Sequence, residues 1–348
     1  MAAPGSVRCT WLTAGLGVAL VVGILLSAMV GQLPVAPTEV IGSILRALGI
    51  DNGWAPDDRV IESALWVVRF PRIVMGLGVG AALAVAGAVM QAIFGNPLAE
   101  PGVVGVSSGA AVGAAVGIVL GLSVLGGWSI AIFAFAGGLL ATLFVYVVSR
   151  ANGRTEVVTL LLTGIAVNAF GGAGLALLLF LGDSASREQI IFWQLGSLNG
   201  SRWQETAIVI VVAVLGTVAA LMVGRKLDLL SLGERNARHL GLGVERLRIG
   251  SIILVALLTG VAVAFCGIIA FVGLVVPHII RMAIGPSHRP LILASAVGGG
   301  ALMLFADLAA RTMISGADLP IGMLTSLIGG PFFFFLLFRA RRRSGGWA

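Results

Sequence analysis

Asp307 and Arg311 stand four residues apart inside an apolar run, so on a helix they share a face and can form an ion pair. An acid inside a membrane span is the usual mark of ion-coupled transport. A carboxylate paired in this way is instead structural, and Asp307 is the one acid that lies clearly inside such a run. Lys226, the chain's single lysine, is preceded by Arg225 and followed by Leu227. A Walker phosphate loop needs Gly-Lys-Ser/Thr after its glycines, so this chain does not cradle ATP in that manner. His239, His278 and His288 are too scattered for a metal cluster, and Cys9 and Cys266 sit near opposite ends without metal-like spacing. His278, after Pro277, reads as a structural histidine at a helix start. No H-E-x-x-H motif is present. No catalytic or metal residues are expected.

The stretch 225–248 has a different character. Leu229 to Gly241 reads as a short helix with an early acid, Glu234, and late bases, Arg235, Arg238 and His239, which complement the helix dipole. Gly241 reads as its stop, and Leu232, Ala237 and Leu240 give it an apolar side. A solvated basic loop would need none of this; a docking helix for a partner explains the mixed face.

The elements that carry these residues follow from composition. Of 348 residues 58% are hydrophobic and 11% charged, with fifty glycines. A soluble domain averages about 25% charged residues, so a soluble globular enzyme is excluded. The pI near 11 does not point to nucleic acid, because the 22 basic residues lie in short loops between apolar runs. A bilayer-crossing helix needs about 20 apolar residues, and ten runs qualify: 11–31, 66–92, 103–122, 128–149, 157–181, 204–224, 249–267, 269–284, 290–310 and 319–338. The eighth is short and interrupted by Gly273 and Pro277. Trp11, Trp66, Trp128 and Trp203 stand at the starts of runs, either as headgroup-layer anchors or as ordinary bulky hydrophobes.

Ten spans place both termini on one side. With the termini inside, 15 positive residues face inward, Arg8, Arg154, Arg339, Arg341, Arg342 and Arg343 among them, and 7 face outward, while ten of fifteen acids face outward. The positive-inside bias puts both ends in the cytoplasm. The apolar run after Arg8 is too long for a secretory signal, so an uncleaved first helix is expected. The stretch GAVMQAIFG at 87–95 weakly echoes GIIAFVG at 267–273 in a span of opposite direction. That suggests inverted repeats, 66–181 and 249–338, an arrangement common in transporters, within one transmembrane domain, 1–348.

These residues carry a family resemblance that spans the chain. GAVMQA and GNPLAEPG within 87–102, LGERNARHLG at 232–241, FVGLVVPHI at 271–279, ADLAAR at 306–311 and LPIG at 319–322 resemble the FecCD-type permeases, membrane subunits of type II ABC importers for heme, iron-siderophores and cobalamin. The resemblance implies an all-α polytopic membrane protein of ten transmembrane helices with inverted repeats, working as a homodimer in the bacterial cytoplasmic (inner) membrane. It further implies two cytoplasmic ATPases that hold ATP and magnesium, an extracytoplasmic substrate-binding protein, and no cofactor on this chain. Leu232, Gly233, Glu234, Arg235, Ala237, Arg238, Leu240 and Gly241 match the family's ATPase-coupling segment. Arg69, Arg72 and Arg311 match outer positions that pair with glutamates of the binding protein; arginines at a span end can equally anchor to lipid phosphates. Asn96, Leu98, Val157 and Val158 match the cytoplasmic gate. The segments LLLTGIAVNA at 160–169 and FWQLGSLNG at 192–200 look most like heme-importer permeases, with ferric siderophore second and cobalamin third. Two other classes stay open: a stand-alone secondary carrier, with Asp307 as its only good carboxylate, and an intramembrane enzyme, for which no constellation exists.

Overall fold

The computed structural model describes residues 4–343 except 51, 123–125, 152–153 and 315. The side chains of Arg8, Cys9, Arg154, Arg339, Arg341, Arg342 and Arg343 lie outside the described residues. The helices are α1 (Pro4–Met29), α2 (Pro37–Ala47), α3 (Arg59–Ser63), α4 (Phe70–Phe94), α5 (Val106–Val119), α6 (Ser129–Val148) and α7 (Val157–Leu181). They continue as α8 (Ser184–Leu195), α9 (Trp203–Leu230), α10 (Glu234–His239), α11 (Val244–Cys266), α12 (Val272–Ile284), α13 (His288–Thr312) and α14 (Ile321–Arg343). A π-helical turn, Ala64–Arg69, leads into α4, and β1 (Arg150–Ala151) pairs antiparallel with β2 (Arg154–Thr155) in a small hairpin.

All ten expected runs are helical, but they are not ten equal spans. Seven helices are long and apolar enough to cross a bilayer: Trp11–Met29, Arg59–Phe94, Gly126–Val148, α7, α9, α11 and α13. Val106–Val119, Val272–Ile284 and Ile321–Phe335 are shorter apolar helices. At 1.5 Å per residue the first two rise only about 20 Å, against a hydrocarbon core of about 30 Å. The cause is visible at their starts. The chain reaches α5 through a 3-10 turn ending at Gly105 (φ 82°), and α12 through an extended stretch ending at Phe271 (φ 68°). Left-handed residues at those points begin a new helix rather than continue an old one.

Outside the expected runs lie α2, α3, α8, the β1–β2 hairpin and α10, the last within the helix expected over 229–241. For α8, Asp183 supplies the N-cap, accepting 2.8 Å from the Ser186 amide, and that bond holds its carboxyl below the ordinary range.

Helix α4 is the axis of the fold. Nearly every residue from Phe70 to Ile93 is buried, enclosed by α13, α9, α11 and α12. Glycine permits this closeness. A Cβ at Gly80 would overlap the Gly299 carbonyl of α13, and one at Gly87 would overlap the Gly273 carbonyl of α12. Small residues at such crossings let helix backbones approach without a side chain between them. Within the 87–95 and 267–273 stretches, Gly87 packs directly on Gly273. In both, a long helix ends on a positive-φ glycine, Gly95 (φ 59°) or Gly267 (φ 70°), and a break and a short helix follow. Helix α7 is the opposite of α4, with only Leu160 and Gly164 buried among its 25 residues.

Candidate functional site: two polar ends and two helix breaks

The first α4 residues, the end of α13 and the end of α1 meet at one end of the bundle. There Arg72 donates from Nε to Asp307 Oδ1 and Oδ2 at 2.9 and 3.2 Å, from Nη2 to Asp307 Oδ1 at 2.9 Å, and from Nη1 to Asp318 Oδ2 at 2.9 Å. Arg311 approaches Asp307 Oδ2 only to 3.5 Å, and its outer nitrogens donate to the carbonyls of Val30 (2.7 Å) and Ser27 (2.6 Å) and to the Ser27 hydroxyl (2.8 Å). The expected pairing of Asp307 is thus present, but Arg72, 235 residues away, is its main partner. Arg69 points inward to the carbonyls of Ala28, Met29 and Leu33 and closes the end of α1.

Arg69 and Arg72 are buried, at 7% and 9% exposure, and Asp307 is at 1%. All three arginines nevertheless line one open cavity of about 770 Å³ together with Asp318 and Asn199. Three guanidiniums against Asp307 and Asp318 leave this cluster, within an otherwise acid-rich end, with one more positive than negative charge. The guanidiniums are held in place by interior acceptors rather than standing free on the rim.

At the other end α9 stops at Leu230, and Gly233 (φ 95°) turns the chain into α10. The helix is shorter than the expected 229–241, and Gly241 (φ 81°) ends the turn that follows it, as expected of a stop. Ala237 is buried against the bundle; Leu232, Arg235, Arg238, Leu240 and Gly241 are exposed. Leu232 at 57% and Leu240 at 60% present an apolar surface to the outside. Glu234 pairs with Arg238 at 3.0 Å and also with the buried Arg248 of α11. Arg248 donates 2.7 Å to the Thr155 carbonyl, while Glu245 accepts from the Thr155 amide (3.1 Å) and hydroxyl (2.5 Å). The β1–β2 hairpin, α10 and α11 are therefore fastened into one block.

Asn96 and Leu98 lie in the first break, where Asn96 Oδ1 accepts 2.9 Å from the Leu98 amide in an Asx turn. Asn96 is exposed and Leu98 half-buried; Val158 at the start of α7 is exposed and Val157 half-buried. Among the described residues no hydrogen bond joins the 96–98 turn to Val157 or Val158. What the structure does join is the two breaks. Glu100 Oε1 accepts 3.0 Å from the Phe271 amide, and Gln91 Nε2 donates 3.2 Å to the Leu274 carbonyl. Burial pushes the Glu100 carboxyl above its ordinary value, with the Phe271 N–H opposing. His278 lies inside α12, not at its start, beside Pro277. Among the described residues no cluster of three metal-ligating side chains exists.

Sequence reasoning did not single out Asp318, Glu100, Arg248, Glu245 or Thr155. Asp318 stands directly before Leu319-Pro320 and Glu100 directly before Pro101, a proline-led setting in which an acid does not stand out. Nothing local names their partners, which lie 246 and 171 residues away.

The model of the FecCD transport family matches residues 19–339. The chain is 41% identical over 286 residues to the hemin transport system permease protein HmuU of Yersinia pestis, covering 81% of this chain and 85% of that one. It is 39% identical over 364 residues to the cobalamin import system permease protein BtuC of Halobacterium salinarum, covering 95% and 97%. A solved structure described as an inward-facing metal-chelate type ABC transporter superposes with a TM-score of 0.82 at 31% identity, covering 95% of this chain and 99% of that one.

Proposed function

The chain belongs to the FecCD transport family as a permease of ABC-importer type, and from that premise we propose that it moves heme inward across the bacterial cytoplasmic membrane. The observation that carries the transport reading is α10, a short helix with two exposed leucines, fastened through Glu234 and Arg248 to α11 and the β1–β2 hairpin. A partner pressing on that surface moves a block and not a loop. The partner is a pair of cytoplasmic ATPases that supply ATP and magnesium. The charge asymmetry supports a cytoplasmic position for α10 and both termini.

At the opposite end an extracytoplasmic binding protein docks over the cavity that Arg69, Arg72 and Arg311 line. Planar guanidiniums suit carboxylate partners. The net positive charge, and the locked geometry of the three side chains, support that role. The exposed apolar face of α7, with Leu162, Ile165 and Phe170 outward, supports a homodimer whose pathway runs between the copies. Asn96, Leu98, Val157 and Val158 would narrow it at the cytoplasmic end. Heme is favoured over ferric siderophore by the segments 160–169 and 192–200, on α7 and around the end of α8; cobalamin is the alternative that the second relative's name raises.

The test is uptake into vesicles holding the permease and its ATPase, with the cognate binding protein outside. ATP-dependent uptake of hemin, and not of cobalamin or a ferric hydroxamate, is the expected result. Cobalamin uptake would transfer the cargo assignment. Uptake by the permease without any ATPase would overturn the ABC reading and return Asp307 to the role of a coupling carboxylate.

A further inference from the structure

We propose that the α10 end carries a binding site for the phosphate headgroup of an anionic phospholipid, set between α9 and α11. A cavity of about 410 Å³ opens there. Its mouth holds Lys226, from the end of α9, and Arg246, from the start of α11, flanking the turn Gly241–Gly243. Both side chains are exposed, and among the described residues neither has an ion pair or hydrogen bond. This contrasts with Arg72, Arg248 and Arg311, each matched to a carboxylate or a carbonyl. Its throat is apolar, walled by Ala219 and Val223 of α9 and Leu254 of α11.

A second observation is independent of the two cations. Ser251 lines the same cavity, is 2% exposed, and its Oγ has no hydrogen-bond partner. A hydroxyl buried without a partner costs free energy unless something else accepts from it. A phosphate oxygen is an acceptor that also satisfies two nearby cations.

The shape separates a lipid from other phosphates. Ala219 and Leu254 lie seven and eight residues along their helices from Lys226 and Arg246, so the cavity runs about 10 Å from its basic mouth along the apolar helices. Soluble phosphate has no use for such a throat; an acyl chain does. The helices beside it present Val218, Met222, Ile253 and Leu257 outward as exposed apolar side chains, which is a lipid-facing surface. Basic pockets between transmembrane helices at a membrane face are a recurring form of headgroup site. The proposal requires only that the chain be membrane-embedded and stands apart from the cargo assignment.

The test is native mass spectrometry of the full transporter complex, stripped of lipid and titrated with dioleoylphosphatidylglycerol, dioleoylphosphatidylcholine, glycerol phosphate or inorganic phosphate. Wild type is expected to retain phosphatidylglycerol preferentially. The double variant Lys226→Gln with Arg246→Gln should bind it about 30-fold more weakly, two cations at about 1 kcal/mol each near an anionic surface. Leu254→Trp leaves both cations in place and fills the throat, and should also lose the lipid. Equal retention of phosphatidylcholine would overturn the proposal. So would binding of glycerol phosphate or inorganic phosphate as tight as that of the lipid, which would assign the mouth to a soluble anion. Unchanged lipid binding in the double variant, with loss of the copurifying ATPase, would assign the two cations to protein docking instead.

Discussion

The two ends of the bundle use arginine in opposite ways. At the α1–α4–α13 end Arg69 and Arg72 are buried and Arg311 half-buried, and their hydrogen bonds go to Asp307, Asp318, the Ser27 hydroxyl or backbone carbonyls. At the α10 end Arg248 alone is treated so; Arg235, Arg246 and Lys226 are left exposed and unpaired. The first end is built to keep a fixed shape around a cavity, and the second to be gripped from outside. Charge count does not separate them, since both carry basic clusters; burial and pairing do.

Substitutions at four positions sharpen that difference or break it. Asp307→Ala should have the largest effect, because it strands a buried Arg72: about 3–5 kcal/mol of stability lost, read as a collapse of the thermal transition in detergent. A loss under about 1 kcal/mol, the range of exposed pairs, would erase the distinction between the ends. Arg248→Ala should come next, removing a charged group's hydrogen bonds worth about 1.5–3 kcal/mol. Hydrogen exchange should then quicken together in α10 and the β1–β2 hairpin while α4 stays protected; quickening in α10 alone would show that the two are not one block.

Glu100→Ala should cost about 1 kcal/mol, as loss of a cap does, with faster exchange at the start of α12. Glu100→Gln keeps an acceptor for the Phe271 amide and should restore it. Because the folded Glu100 carboxyl lies above its ordinary value, the native state holds a proton that the unfolded chain releases earlier. Its contribution to stability is fullest below the ordinary carboxyl pKa and falls as pH rises through the raised one. The Gln variant should lack that decline. Arg238→Ala should change stability least, by about 0.3–0.5 kcal/mol for an exposed i,i+4 pair, yet it should lower ATP hydrolysis coupled to uptake. If coupling is untouched, the exposed face of α10 is not the gripped surface.

Much of this was legible in the sequence because apolar length and glycine punctuation are local signals. The ten helical runs, α10 with its Gly241 stop and the Asp307–Arg311 proximity all arise within a few residues. What was not legible is pairing at a distance. Arg72 and Asp318 are 246 residues apart, and nothing near either announces the other. The half-length of α5 was also hidden, since hydropathy continues smoothly across Gly105 while the backbone does not; that of α12 was announced by its short, interrupted run. The arginines at 69 and 72 look like rim charges in the sequence, and only three-dimensional contacts show them turned toward the interior.

The glycine crossings of α4 bear on degrees of freedom. Where Gly80 meets Gly299 and Gly87 meets Gly273, no rotamers exist to be exchanged, so these contacts cannot slide by repacking side chains. Helices α4, α12 and α13 are therefore held together at these points by backbone contact, whereas the outward side chains of α7 are free to change rotamer at little cost.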